Sequence, residues 1–323
     1  MAESPTDTCD SRIVQAHTIP RSQLRQIAID SHVYSMAAPP ADLFQNDGVI
    51  TAKKIGINKF SVLNCFCAKH DNDLFSSIED EPLAFSPHQL ALLHYRTVAS
   101  EVYRKVMVHR VTLGRLEEQK KKKPRTAEVR ARMTLLLSYA YGEDLALRDA
   151  GVEFALCEKE LFNQTYDGVS ALIVHFKKMP SLMPVGGFLP ECDYHGNPLQ
   201  RLGNFKAVCQ AVSFNVLAAK GHAALALLWF KGQNVVKSFA ESFVALKLER
   251  YATLAIQTAF EHLENTCMAP RWWENLRKVE QDLLLRRMQT GGSPFEKRKP
   301  NCLTYCGVTF DDWEHDCQEF INV

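Results

Sequence analysis

The spacing of apolar residues after position 86 predicts a long helix. Ser86-Pro87-His88-Gln89 has the residue types of an N-cap and a first helical turn, with Gln89 closing a capping box. The apolar positions that follow have helical spacing: Leu90, Leu93, Val98, Val102 and Val106. We expect this helix to run to about Glu118.

Two further helices are expected in the next forty residues. Four lysines at positions 120–123 and Pro124 end the first helix. A second helix is predicted to start near Thr126 and run through the apolar stretch MTLLLSYAYG, and a third to cover about Leu145 to Asn163. Short connections between long helices favour antiparallel packing.

The pattern changes near Gly168, where compact, β-rich segments predict strands. VSALIVHF is one such segment, and AVSFNVLAA and HAALALLWF flank Lys220-Gly221, which predicts a tight hairpin. The segments from Val235 to Glu264 and from Trp272 to Gln289 are helical in pattern.

The first eighty residues have short, broken apolar periodicity and many prolines and glycines. A segment with so little core often needs a metal ion to fold. We therefore predict an α+β protein with an N-terminal zinc-knuckle module, antiparallel long helices and a small antiparallel sheet with C-terminal helices. The corresponding boundaries are 1–82, 83–166 and 167–323.

Composition narrows the class of protein but not its function. The chain has 323 residues, a formal net charge of +1 and 46% hydrophobic residues, enough for a sizeable core. It has no run of roughly 18 apolar residues and no secretory pattern at its start. We expect a cytoplasmic protein without a membrane partner, whose ten cysteines are mostly unpaired thiols.

Two cysteine–histidine pairs in the N-terminal segment have the spacing of zinc ligands. Cys9 and His17 are separated by seven residues, and Cys67 and His70 by two. Zinc takes four nitrogen or sulfur ligands in tetrahedral geometry, which two close pairs can supply. The predicted zinc ligands are therefore Cys9, His17, Cys67 and His70, with Cys65 as an alternative. Unrelated buried residues remain the other interpretation.

The sequences around these pairs resemble HNH endonucleases, which have a ββα-metal fold. AHTIP is similar to the strand of that family that bears the general base, and INKFSVLNCFCAKHD is similar to its knuckle and helix start. The resemblance implies that His17 is the base and that Asn64 or Asn58 orients it. Asp71 takes the position of the histidine that binds the catalytic Mg²⁺ or Mn²⁺, and Cys67 and His70 bind structural zinc.

Two differences from that family leave two functions open. Ala16 precedes His17 where active members have a metal-binding residue, and Cys9 stands alone where they have a CxxC motif. Zinc would then recruit His17 and remove the base. We predict first a zinc-stabilised nucleic-acid-binding or interaction protein, by analogy one of a bacterial conflict or defence system. The alternative is a divergent HNH-type metal-dependent endonuclease. The rest of the chain resembles uncharacterised bacterial proteins.

A cluster of cations between the long helices is the candidate nucleic-acid-binding site. Its residues are Lys120, Lys121, Lys122, Lys123 and Arg125. Cations in such a cluster can contact the phosphates of DNA or RNA. A solvated turn with cations suited to a helix C-terminus is the alternative interpretation.

Near the C-terminus, Cys302 and Cys306 precede His315 and Cys317. This irregular spacing is compatible with a second metal site, but it is more typical of ordinary thiols.

Overall fold

The computed structural model describes residues 12–36, 48–123, 126–203, 205–291 and 298–323. Its strands, in chain order, are β1 (Ala16–His17), β2 (His32–Ser35), β3 (Lys53–Gly56), β4 (Val62–Leu63), β5 (Val169–Phe176), β6 (Leu182–Phe188), β7 (Val212–Ala219), β8 (His222–Phe230), β9 (Thr266–Met268) and β10 (His315–Ile321). Its helices are α1 (Arg21–Ile27), α2 (Ala68–Glu79), α3 (Pro87–Lys121), α4 (Ala127–Asn163), α5 (Asn234–Val244), α6 (Tyr251–His262), α7 (Pro270–Asn275) and α8 (Lys278–Gly291). The predicted α+β class is confirmed.

The main sheet is larger than predicted. It has eight strands in the order β10-β5-β8-β7-β6-β9-β2-β3, and each neighbouring pair is antiparallel. The predicted hairpin joins β7 to β8, with Ala219 paired to His222. Lys220 and Gly221 both have positive φ, 53° and 82°, as a two-residue type I′ turn requires.

Helices cover both faces of the central strands, so these strands are buried throughout rather than on alternate residues. On one face, Leu225 and Leu227 pack into a core with Phe239 of α5 and Phe260 of α6. On the other face, Leu228 joins a second core that includes the first half of α3. A sheet covered on both sides needs apolar residues at consecutive positions, which explains the continuous run HAALALLWF.

Helix α3 begins where the sequence predicts, but only half of the capping box forms. The Ser86 hydroxyl accepts a hydrogen bond from the Gln89 amide at 3.3 Å. The Gln89 side chain does not return to Ser86: its Oε1 accepts from the Ala84 amide at 2.9 Å, and its Nε2 donates to the carbonyls of Ser77 and Pro82. Gln89 therefore fastens the α2–α3 loop to the start of α3.

The predicted second and third helices are one continuous helix, α4. The prediction of a break near Gly142 is wrong. The helix continues there, and the next residue, Glu143, bonds to α3. The Glu143 carboxylate accepts from the Thr112 hydroxyl at 2.8 Å and lies 3.2 Å from His109 Nδ1. These bonds, with the short connection between the helices, confirm the antiparallel pairing of α3 and α4.

The two C-terminal helical segments are each divided in two. The first breaks between α5 and α6, where the Tyr251 hydroxyl donates to the Val244 carbonyl at 2.9 Å. The second breaks between α7 and α8, where the Glu280 carboxylate accepts from the Arg277 amide at 2.9 Å and so caps the new helix.

The N-terminal residues contribute both to the main sheet and to a separate unit. Strands β2 and β3 extend the sheet through pairing of Tyr34 with Met268. Strands β1 and β4 instead pair with each other, and α2 follows β4, which together form a small ββα unit. The zinc knuckle and the three-part division of the chain stay predictions. Among the described residues, no helix is long and apolar enough to cross a membrane.

Candidate active site

Backbone pairing brings the two motif-bearing segments of the ββα unit together. His17 pairs with Val62 across β1 and β4, and an isolated bridge joins Ile13 to Cys67. The Ala68 amide, at the start of α2, donates to the Arg12 carbonyl at 3.0 Å. The chain just before His17 therefore runs beside the first turn of α2.

Cys67 and His70 form a close pair at that first turn. The Cys67 sulfur lies 3.3 Å from His70 Nδ1 and also accepts from the His70 amide, so Cys67 is the N-cap of α2. Two ligands of a tetrahedral zinc ion, at about 2.3 Å for sulfur and 2.0–2.1 Å for nitrogen, would lie about 3.5 Å apart. The pair therefore has the separation of two of the four ligands of a zinc ion.

The other predicted zinc ligands do not join this pair among the described residues. Within them, no group of three or more His, Cys, Asp or Glu side chains could hold a metal ion. Cys9 lies outside the described residues, three positions before Arg12. Burial, with the nearby Asp71 carboxylate, raises the pKa of Cys65 to about 11, so this thiol stays protonated at neutral pH and is a poor ligand.

His17 is held by a main-chain carbonyl. Its Nε2 lies 3.1 Å from the carbonyl oxygen of Ile57. Because a carbonyl oxygen only accepts, Nε2 carries the proton and Nδ1 is left with its lone pair. Burial, partly offset by this hydrogen bond, lowers the pKa of His17, so the ring is neutral at neutral pH.

His17 and Asp71 line the same small cavity. Its volume is about 240 Å³, and it is bounded by Gln15, His17, Arg21, Ser22, Arg25, Asp71, Glu79 and Asp80. Arg21 and Arg25 are exposed and lie one turn apart on α1. The cavity thus combines a neutral imidazole, carboxylates and two solvent-accessible guanidinium groups.

Asp71 has an unsatisfied carboxylate oxygen. Its Oδ1 is buried and makes no hydrogen bond, and the nearest cation is Arg96 Nη2 at 3.9 Å. Burial raises the pKa of Asp71, an effect that Arg96 opposes. A buried carboxylate oxygen without a hydrogen bond is the kind of group that Mg²⁺ or Mn²⁺ would satisfy, although one carboxylate holds such ions weakly.

Arg96 connects this site to the core of the protein. Its guanidinium is buried, forms an ion pair with Glu79 and lies 4.0 Å from the centroid of the Phe75 ring. A buried cation of this kind needs its partners, since loss of one leaves an uncompensated charge. Arg96 therefore fixes the position of α2, and with it Asp71, against α3.

The predicted orienting residue is replaced by the backbone. Asn64 and Asn58 are both exposed, and the hydrogen bond to the His17 ring comes from the Ile57 carbonyl instead. Sequence reasoning missed this contact because a carbonyl group is common to every residue. The proximity of Asn58 to Ile57 was the only available signal.

The candidate nucleic-acid-binding lysines are far from this cavity. Lys120 to Lys123 are exposed at the end of α3, where Lys120 forms an ion pair with Glu117 at 2.6 Å. Arg125 lies outside the described residues. From Arg96 to Lys121 the helix rises about 38 Å at 1.5 Å per residue.

The C-terminal cysteines do not cluster as their spacing allowed. Cys302 lies beside Cys192, with the two sulfurs 3.8 Å apart, and Cys317 is exposed on β10. Within the described ranges no disulfide joins the cysteines. Comparisons of this chain with known protein families, with curated proteins and with solved structures found no match.

Proposed function

We propose that the ββα unit is the catalytic centre of a metal-dependent nuclease that hydrolyses phosphodiester bonds in DNA or RNA. One observation carries the proposal: His17 is held apart from the Cys67–His70 pair, in a cavity that it shares with Asp71. In this arrangement His17 would act as a base while Cys67 and His70 bind zinc.

The proton transfer follows from the orientation of His17. Among the described residues no donor forms a hydrogen bond with its Nδ1, while its Nε2 donates to the carbonyl of Ile57. A neutral imidazole in this tautomer accepts a proton from a water molecule as that water attacks phosphorus. The carbonyl of Ile57 then stabilises the imidazolium that forms.

The remaining cavity residues suit a phosphodiester substrate. Arg21 and Arg25 are positioned to bind its non-bridging oxygens. Asp71 would hold a Mg²⁺ or Mn²⁺ ion, which stabilises negative charge on the phosphate when bound. Cys67 and His70 would hold the structural zinc together with Cys9. Cys9 is three positions before Arg12, whose carbonyl bonds to the start of α2.

A second candidate is a zinc-stabilised protein that binds nucleic acid without cleaving it. The lysine cluster at the end of α3 favours it, because those cations are exposed and Lys121 lies about 38 Å along α3 from Arg96, which anchors α2. A duplex in contact with both places would span about 11 base pairs at ~3.4 Å each.

The test compares His17→Ala with His32→Ala, a matched change at an exposed histidine of β2. We expect the wild type and His32→Ala to cut plasmid DNA or single-stranded RNA in millimolar Mn²⁺. His17→Ala should lose about 10²- to 10⁴-fold in rate, the usual contribution of a general base. Elemental analysis should find zinc in all three proteins.

The other outcomes decide between the candidates. Release of zinc from His17→Ala would make His17 a structural ligand and overturn the nuclease proposal. Binding without cleavage by the wild type would support the second candidate. In that case, replacing the four lysines by Gln should flatten the log–log dependence of affinity on salt by about 0.9 per lost duplex contact.

A further inference from the structure

A larger cavity lies between the helical pair α3–α4 and strands β6 and β7. Its volume is about 420 Å³. It opens to solvent beside Val108 and Glu264, which are exposed, and its inner wall includes Ser213 and Glu153, which are buried. This cavity is separate from the one that contains His17, since the two share no lining residue.

A hydrogen-bonded chain joins Ser213 and Glu153 of the inner wall through His94, which lies behind the wall and is fully buried. His94 Nδ1 lies 2.8 Å from the Ser213 hydroxyl, and His94 Nε2 lies 2.9 Å from Glu153 Oε1. Because an ionised carboxylate only accepts, Nε2 carries the proton and Nδ1 accepts from the serine. Nucleophile, base and orienting carboxylate are thus within hydrogen-bond reach in the order that covalent catalysis needs.

The surroundings fix this geometry. Gln233 Nε2 donates to the second oxygen of Glu153 at 2.7 Å, and the Phe230 ring packs edge-on to His94 with centroids 5.1 Å apart. Burying three such groups is costly, and apolar side chains would stabilise the helix–sheet contact at lower cost. Two of the three groups, Ser213 and Glu153, also line the cavity, whereas His94 is fully enclosed.

The rest of the cavity defines the ligand. Its wall combines apolar side chains, among them Val98, Val185 and Leu263, with charged ones such as Glu101 and Arg298. His262 supplies a polar group that no described protein atom satisfies: its Nε2 is buried without a hydrogen bond, and its ring is stacked on Phe188 at 4.1 Å. A small ligand with an apolar chain and one polar acceptor or donor fits this lining.

We propose that this cavity is a second catalytic site, a serine hydrolase site for esters of short, apolar carboxylic acids. Ser213 Oγ attacks the ester carbonyl carbon while His94 Nδ1 takes the hydroxyl proton. The bond to the alcohol then breaks, and His94 returns the proton to the leaving alkoxide. Water, deprotonated by His94, attacks the acyl-Ser213 ester, which releases the carboxylic acid and restores the serine. Glu153 is a positioning residue.

The test treats the full-length protein with a fluorophosphonate probe and locates the modified peptide by mass spectrometry. Ser213→Ala is compared with Ser170→Ala, a matched change at a serine of β5 that is equally buried, at 1% exposure. We expect labelling at Ser213 in the wild type and in Ser170→Ala, none in Ser213→Ala, and hydrolysis of 4-nitrophenyl butyrate that follows the same order.

Glu153→Gln separates catalysis from packing. It keeps the shape of the side chain but removes the charge that selects the His94 tautomer, so the labelling rate should fall by at least about 10²-fold. Thermal melting confirms that each variant is folded. No labelling of folded wild type, or unchanged labelling of Ser213→Ala, would overturn the proposal. The nuclease proposal is unaffected by either result, because it depends on His17.

Discussion

The two halves of helix α3 differ in what they contact. Every residue from Gln89 to Ser100 is buried, because this half lies between the sheet, α2 and α4. From position 102 onward only Thr112, Leu116 and Gln119 are buried, at the alternating spacing of four and three residues that a two-helix seam requires. The first half therefore belongs to the core and carries His94 of the larger cavity's network and Arg96, which anchors α2, whereas the second half has α4 as its main support.

Substitutions of two leucines of α3 test this difference most directly. Leu92 is fully buried and Leu113 is 41% exposed. Leu92→Ala should lower the free energy of unfolding by about 2–5 kcal/mol, because it leaves a cavity in packed surroundings. Leu113→Ala should change it by less than about 0.5 kcal/mol. Urea denaturation of both variants measures this, and equal losses would contradict the division of α3.

Arg96 tests whether the ββα unit depends on the buried half of α3. Arg96→Met keeps the apolar stem but leaves the Glu79 and Asp71 carboxylates without their cation. We expect a loss of about 1.5–3 kcal/mol, the range for a hydrogen bond to a charged group. Amide hydrogen exchange should show the largest loss of protection in α2. Protection lost first at the end of α3 would argue against this coupling.

Leu116 tests the exposed half. Leu116→Ala removes one of the seam contacts with α4, at a position where neighbours can relax. The expected loss is at most about 2 kcal/mol, near the transfer free energy of the deleted isopropyl group. Hydrogen exchange should locate the opening between positions 110 and 140 and leave β5 and β8 protected. Loss of protection in β5 and β8 would show that the exposed half of α3 is part of the core.

Acid should destabilise the folded protein through His262 of α6, which lines the larger cavity together with Val98 of α3. Burial and the nearby Arg298 cation hold the pKa of His262 well below its usual range. The unfolded chain therefore binds a proton that the folded one excludes. This contribution to stability is present above about pH 6.5 and is lost as the pH falls further, by at most about 1.4 kcal/mol per pH unit.

His262→Gln should remove that part of the pH dependence, as measured by urea denaturation at pH 7.5 and pH 5.5. If His262→Gln keeps the pH dependence of the wild type, His262 is not the group whose protonation destabilises the fold.

Sequence reasoning succeeded where local signals decide the structure. Ser86 caps α3 as predicted, and Lys220-Gly221 forms the turn that its residue types favour. It failed where contacts distant in the chain decide. Strand β2 has four residues and pairs with β9, more than 230 positions away. Strand β10 is polar and exposed at the edge of the sheet, so it has no apolar pattern.

The candidate site was predicted in part for the same reason. Motif spacing placed Cys67 beside His70, since both lie on one turn. It could not show whether His17 joins them, because that depends on the course of the chain between β1 and β4. Nor could it group Ser213, His94 and Glu153, which lie on three elements up to 119 positions apart.

The path of the chain between β1 and β4 limits how the ββα unit could be moved into another protein. The chain leaves β1, contributes β2 and β3 to the large sheet, and only then returns to β4. Removing the continuous segment from β1 to α2 would also remove β2 and β3 from the large sheet. Strand β9, in which Cys267 and Met268 are fully buried, would then become an exposed edge. An exposed edge strand of this kind promotes aggregation. Recombination that separates the ββα unit from the eight-stranded sheet would therefore damage both. The two are expected to be inherited together.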